Sequence, residues 1–198
     1  MKKIICLILI TSFLIVGCTK ESNAYENYVK VEPSKLFEGD AIKLAPHFDM
    51  ITGSAKVKYI GNKKSICLKY EIWENGRIKE SHNASSKFVD NNKFDGEVSI
   101  SLKEITGTDL ERSNFMIMKT VISEDNGYIG STKYIDRFDE DCSYGPIEIY
   151  EELNVTDDEE IIVWGLTAQK GSYISTGGSI EDEVKASDWG LILKVFFE

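Results

Sequence analysis

Histidine is the scarcest reactive side chain in this 198-residue chain: His47 and His82 are the only two, and neither has a close companion. A zinc site draws on several His, Cys or acidic ligands at short spacing, so both read as solvent-facing loop residues. Cysteine is nearly as sparse, at Cys6, Cys18, Cys67 and Cys142. No Gly-rich elbow surrounds Cys67 or Cys142, which leaves a Cys–His nucleophile without local support. A Gly-x-Ser-x-Gly elbow and a Walker-type phosphate loop are both missing; Lys170-Gly171-Ser172 carries its lysine on the wrong side of the glycine. Basic charge is short as well, with 23 Lys and Arg against 33 Asp and Glu and a formal net charge of −10. Such a surface is repelled by phosphate backbones, which disfavours nucleic-acid binding. No apolar run reaches the roughly 20 residues that a spanning helix requires.

What is present at the N-terminus has a definite order. Met1-Lys2-Lys3 is basic, the 13 residues Ile4–Val16 are apolar apart from Thr11 and Ser12, and Ile15-Val16-Gly17-Cys18 closes the run. Basic, apolar and small residues in that sequence make a secretory signal. Its end, with glycine directly before Cys18, resembles a bacterial lipobox, carrying Ile15 where such motifs most often have leucine. The resemblance covers residues 1–18. It implies that a diacylglycerol is joined to the Cys18 thiol and that removal of residues 1–17 leaves Cys18 first. Each buried methylene adds about 0.8 kcal/mol, and two acyl chains hold a protein where one lets it escape.

Residues 18–27 are polar and aperiodic beyond the cysteine, and read as a flexible tether. The expected location is the outer, extracytoplasmic face of a cell membrane, with residues 28–198 as a single domain. Loss of Lys2 and Lys3 with the signal takes the basic count from 23 to 21, and the charge of the mature chain to −12. Repulsion from anionic lipid then holds the domain clear of the headgroups. The bland reading of the acid surplus is solubility. Arginine occurs only at Arg77, Arg112 and Arg137 while Lys, Ile and Asn are plentiful, a usage that suggests an AT-rich genome and a Gram-positive bacterium.

Periodicity favours strands almost throughout. Ala55, Val57 and Tyr59 alternate with lysines; Ile66, Leu68, Tyr70 and Ile72 alternate with Cys67, Lys69, Glu71 and Trp73. Asn75-Gly76 between alternating runs signals a hairpin. Phe115–Ile122, Ile161–Ala168 and Trp189–Phe197 are apolar on both faces and are expected at the centre of a sheet, covered by another layer. Ala41–Leu44, Gly127–Ile135 and Ile147–Leu153 are shorter strand candidates, while Pro33–Phe37 and Ser179–Ala186 are expected to make single helical turns. Eight to ten strands with three prolines predict an all-β fold, an immunoglobulin-like antiparallel β-sandwich in architecture. Cys67 and Cys142 either form one disulfide or remain free and buried, the simpler reading.

Two acidic clusters are candidate Ca²⁺ sites: Asp136, Asp139, Glu140 and Asp141 in one loop, and Asp157, Asp158, Glu159 and Glu160 in another. Ca²⁺ takes six to eight oxygens, and closely spaced carboxylates repel one another unless a cation intervenes. The alternative is two solvated loop tips. Asp90–Gly96 fails as a calcium loop, because Asp95 stands where the sixth-position glycine belongs. The connection Gln169–Asp188 is long for a compact domain, and Tyr173 and Trp189 are its candidate contact surfaces for a ligand. A floppy Gly- and Ser-rich hairpin end is the competing explanation.

The expected function is a lipid-anchored surface lipoprotein whose sandwich binds an envelope protein or wall component without doing chemistry. No cofactor is implied beyond Ca²⁺. A cell-envelope hydrolase working through a carboxylate pair and a Ca²⁺-dependent structural module are the alternatives.

Overall fold

The structure is a computed structural model that describes residues 27–106, 112–171 and 177–198. Cys18, the tether before Asn27 and Tyr173 lie outside the described residues. Among the described residues the alternating sequence folds as eleven strands: β1 (Tyr28–Ser34), β2 (Ile51–Ile60), β3 (Ser65–Glu74), β4 (Arg77–Phe88), β5 (Lys93–Thr106), β6 (Arg112–Glu124), β7 (Gly127–Asp136), β8 (Cys142–Glu148), β9 (Leu153–Thr156), β10 (Ile161–Lys170) and β11 (Trp189–Phe197). They form two antiparallel sheets, ordered β7-β6-β5-β2-β1-β9 and β4-β3-β11-β10-β8. A 3-10 turn over Gly39–Leu44 leads into α1 (Ala45–Phe48), and α2 (Ile180–Ala186) precedes the last strand. No helix among the described residues is long and apolar enough to cross a membrane.

The period of two puts one set of side chains from every strand between the sheets. Val29 and Val31 of β1, Val57 and Tyr59 of β2, and Ile100 and Leu102 of β5 meet Leu68, Ile72, Leu191 and Leu193 from the other sheet. Trp164 is fully buried among them. It reaches the core because β10 carries a bulge between Ile162 and Trp164, so that Val163 and Trp164 both join this core while Ile162 packs on the opposite face of the sheet. An extra residue in a ladder shifts every later side chain by one position. That explains why this segment reads as apolar on both faces.

One flank of the sandwich is closed by polar bridges between β4 and its neighbours β6 and β7. Thr120 links Ser85 at 3.1 Å to Ser131 at 3.2 Å, Lys79 pairs with Asp136 at 3.1 Å, and Lys87 pairs with Glu124. The two ends of the sandwich are distinct. Tyr28, Ile60 and Thr156 share one end, by register. Ser34, the Glu74–Arg77 turn and the loop after Asp136 occupy the other.

Several local expectations give way to tertiary packing. Ala41–Leu44 belongs to the 3-10 turn, and Pro33 lies in β1 rather than in a helical turn. Ile147–Leu153 is divided: β8 ends at Glu148 and the chain crosses to the other sheet before β9. His82 is in β4, tilted against Tyr70 with ring centroids 5.7 Å apart. Phe115–Ile122 lies in β6, next to the edge strand, with Phe115 exposed, whereas β11 does sit mid-sheet. The helical turn expected over Ser179–Ala186 is present as α2 (Ile180–Ala186), so the second half of the 169–188 connection is ordered and not a loose hairpin end.

Candidate functional site

The other flank of the sandwich is open, and local sequence explains its walls. After Pro146, Ile147-Glu148-Ile149-Tyr150 alternates aliphatic with polar or aromatic residues as β8 ends and the chain leaves its sheet, and Glu151 follows. β8 is an edge strand, and Pro146 gives it one fewer donor. Facing this segment is α2, fixed at its start by a capping box between Ser179 and Asp182. The buried carboxylate of Glu183 accepts from the Gly177 N–H at 2.7 Å and the Gly178 N–H at 3.3 Å. The helix lies close on the sheet because Gly165 and Gly190 have no side chains. A Cβ at Gly190 would stand 2.7 Å from Val184 Cγ1. Val184 thereby packs with Trp73 and Ile192 in a second, smaller apolar cluster outside the sandwich.

Between the first turn of α2 and the crossing from β8 to β9 lies a groove of about 670 Å³. Ile147, Ile149, Leu153, Ile162 and Ile180 supply its apolar lining, and Tyr150 stands at its lip, 86 % exposed. The same walls carry Glu148, Glu151, Glu181 and Glu183, and among the described residues no lysine or arginine lines it. Glu181 pairs with Lys185 at 2.8 Å. Glu148 and Glu151 have no ion-pair partner among the described residues. The strand pattern Ile-Glu-Ile-Tyr-Glu was the available signal for this surface; read as strand alone, it gave no hint that the chain turns away from its sheet and opens a groove.

The residues singled out from sequence are placed differently. Trp189 is 5 % exposed and packs on Phe138 with ring centroids 5.4 Å apart, so its ring is not a free contact surface. The acidic clusters sit at opposite ends of the sandwich, and lysines approach both. Asp136 pairs with Lys79, Asp139 with Lys170 at 2.8 Å, and Asp158 with Lys63 at 3.2 Å. The Lys170 ammonium holds the Asp139 carboxyl below its ordinary range. Asp141 is exposed, and Asp157 is buried against Tyr59. Among the described residues no three His, Cys, Asp or Glu side chains converge as a metal site.

Cys67 and Cys142 are both free. Burial pushes the Cys67 thiol up to about 12, helped by a 3.4 Å contact with Glu198. Burial also raises Cys142, with Asp141, Asp139 and Asp188 adding to the effect. A thiolate is the nucleophilic form, so both environments oppose it. One carboxylate pair brought together by a shared cation is Glu71 with Glu160, on the outer face of the five-stranded sheet. Lys194 bridges them at 2.8 and 3.4 Å, and Lys69 binds Glu160 at 2.8 Å. The Lys69 hydrogen bond holds Glu160 below the usual carboxylate range, opposite to what a general acid needs. This is an ion-pair network that runs from the buried Glu71 to the exposed Glu160, with Trp73 Nε1 donating to Glu71 at 3.2 Å. Comparison of the chain with family models, curated proteins and solved structures finds no match.

Proposed function

We propose that this protein is a lipid-anchored, non-catalytic binding module on the outer face of a cell membrane. The observation that carries the reading is the flank groove, with its aliphatic lining and two carboxylates, Glu148 and Glu151, that no cation of the described residues satisfies. Concave, largely apolar surfaces with a few polar groups are where ligands bind. The thiols raised by burial and the lowered Glu160 favour binding over chemistry. Anchoring through Cys18 suits the layout: the described chain enters β1 at Tyr28, at the end opposite the Glu74–Arg77 turn, so a short tether would hold that end toward the bilayer. Immunoglobulin-like applies here as architecture, two antiparallel sheets face to face, with six and five strands against four and three in a constant-type domain.

Two measurements test this function. Cys18→Ser is expected to leave the membrane fraction or to be misprocessed, because the thiol is the lipid acceptor; retention in the membrane at mature size overturns the anchor. Crosslinking on intact producing cells, read by mass spectrometry, is expected to return one dominant envelope partner, and its absence overturns the binding role.

A further inference from the structure

We infer that the flank groove receives a short cationic peptide segment that carries apolar side chains and belongs to a partner protein. The inference rests on the binding-module reading and names the partner class. A volume of about 670 Å³ accommodates a few side chains rather than the face of a folded domain. Ile149, Ile162 and Ile180 give those side chains an aliphatic surface to cover. Around it Glu148 and Glu151 lack a cation partner among the described residues, and Glu181 has only an exposed contact with Lys185. Lysine or arginine on the incoming segment supplies the missing charge, and the exposed ring of Tyr150 offers a face to the same cations.

Charge decides among the other occupants. A second copy of this chain brings the same surplus of acid, at a formal −10 for the whole sequence, and is repelled. An anionic bilayer is repelled for the same reason. Pro146 has no N–H to offer on the edge strand β8, which disfavours docking by added strand hydrogen bonds and leaves side-chain insertion as the mode.

The test titrates the full chain, in detergent micelles, against a fluorescein-labelled, end-blocked peptide of alternating lysine and leucine, followed by anisotropy. Two control peptides replace every lysine by glutamine or every leucine by glycine. The alternating peptide is expected to bind saturably, and each control to bind about tenfold more weakly, since either apolar burial or charge is lost. Glu148→Gln with Glu151→Gln is expected to weaken the alternating peptide by up to about tenfold, roughly threefold per exposed ion pair. Tyr150→Ser weakens it further, while Asp125→Asn, on the turn between β6 and β7, leaves it unchanged. Melting curves establish that each variant is folded. Equal affinity for all cationic peptides, or indifference to the groove variants, overturns the inference in favour of non-specific attraction to an acidic protein. Mapping the cellular crosslinks onto this chain separates the two failures. Contacts on Ile147–Glu151 and α2 support the groove. A partner mapped elsewhere overturns the groove while the binding module stands, and no partner removes both.

Discussion

Tyr59 in β2 donates a 2.8 Å hydrogen bond to the carboxylate of Asp157, 98 residues further along, and both side chains are buried. The phenol oxygen also accepts from the Lys63 N–H at 2.8 Å, and its ring stacks on Phe197 at 4.1 Å between centroids. One side chain thus joins the turn before β10, the turn after β2 and the last strand. Asp157, a candidate Ca²⁺ ligand in the sequence, has its carboxylate committed to this junction.

Tyr59→Phe removes the donor and leaves a buried carboxylate short of a partner, a loss of about 1–3 kcal/mol in urea denaturation at neutral pH. The pH dependence has a fixed sign. Burial first, with the Asp157 contact also contributing, raises the phenol from 10.0 to about 12. Its contribution is complete below pH 10 and declines as the pH climbs to about 12, because the unfolded phenol then loses its proton first. Cys67, raised from 9.0 to about 12, adds a loss of the same sign that begins lower, near pH 9. A stability curve that stays level across the phenol's window in a Cys67→Ala background contradicts the Tyr59 assignment.

Gly53→Ala is expected to cost about 1–3 kcal/mol through overpacking. The new methyl would overlap the indole of Trp164, which is fully buried between the sheets. Chemical denaturation of the variant measures this directly, and a neutral result means the indole has room to shift.

Calcium is expected to leave the melting temperature where EDTA leaves it. Lysines already oppose Asp136, Asp139 and Asp158, so a cation has little repulsion left to relieve. Differential scanning fluorimetry at millimolar Ca²⁺ and with chelator decides this; a rise of several degrees with Ca²⁺ restores the cation reading.

Ser179→Ala strips the cap from α2, a change worth about 1 kcal/mol to the helix. Hydrogen exchange is expected to quicken at the amides of Ile180–Ala186 while the strands keep their protection. Uniform acceleration across the protein would mean that the helix opens only with the whole fold.

Much of the architecture is legible in the residues because alternation has a single structural meaning. Ile66, Leu68, Tyr70 and Ile72 face the core, and Cys67, Lys69, Glu71 and Trp73 face the other way, as their spacing requires. Burial on that outer face was not legible. Glu71 and Cys67 are covered because Lys194, Phe196 and Glu198 come from the far end of the chain, and Trp73 because α2 lies over it. Trp189 illustrates the same limit: an aromatic beside a long connection suggests an exposed contact, yet Phe138, some fifty residues earlier, takes its ring.

The sequence by itself determined an acidic, strand-built chain, along with the turn at Asn75-Gly76 and the start of α2 at Ser179. Each of these depends on residues within a few positions of one another. Only the tertiary structure decided which carboxylates are neutralised and which stand open. Lys170 reaches Asp139 and Lys69 reaches Glu160 across long sequence separations, while nothing among the described residues reaches Glu148 or Glu151. The physical reason is range: propensity and period act between neighbours in the chain, whereas ion pairing acts between neighbours in space.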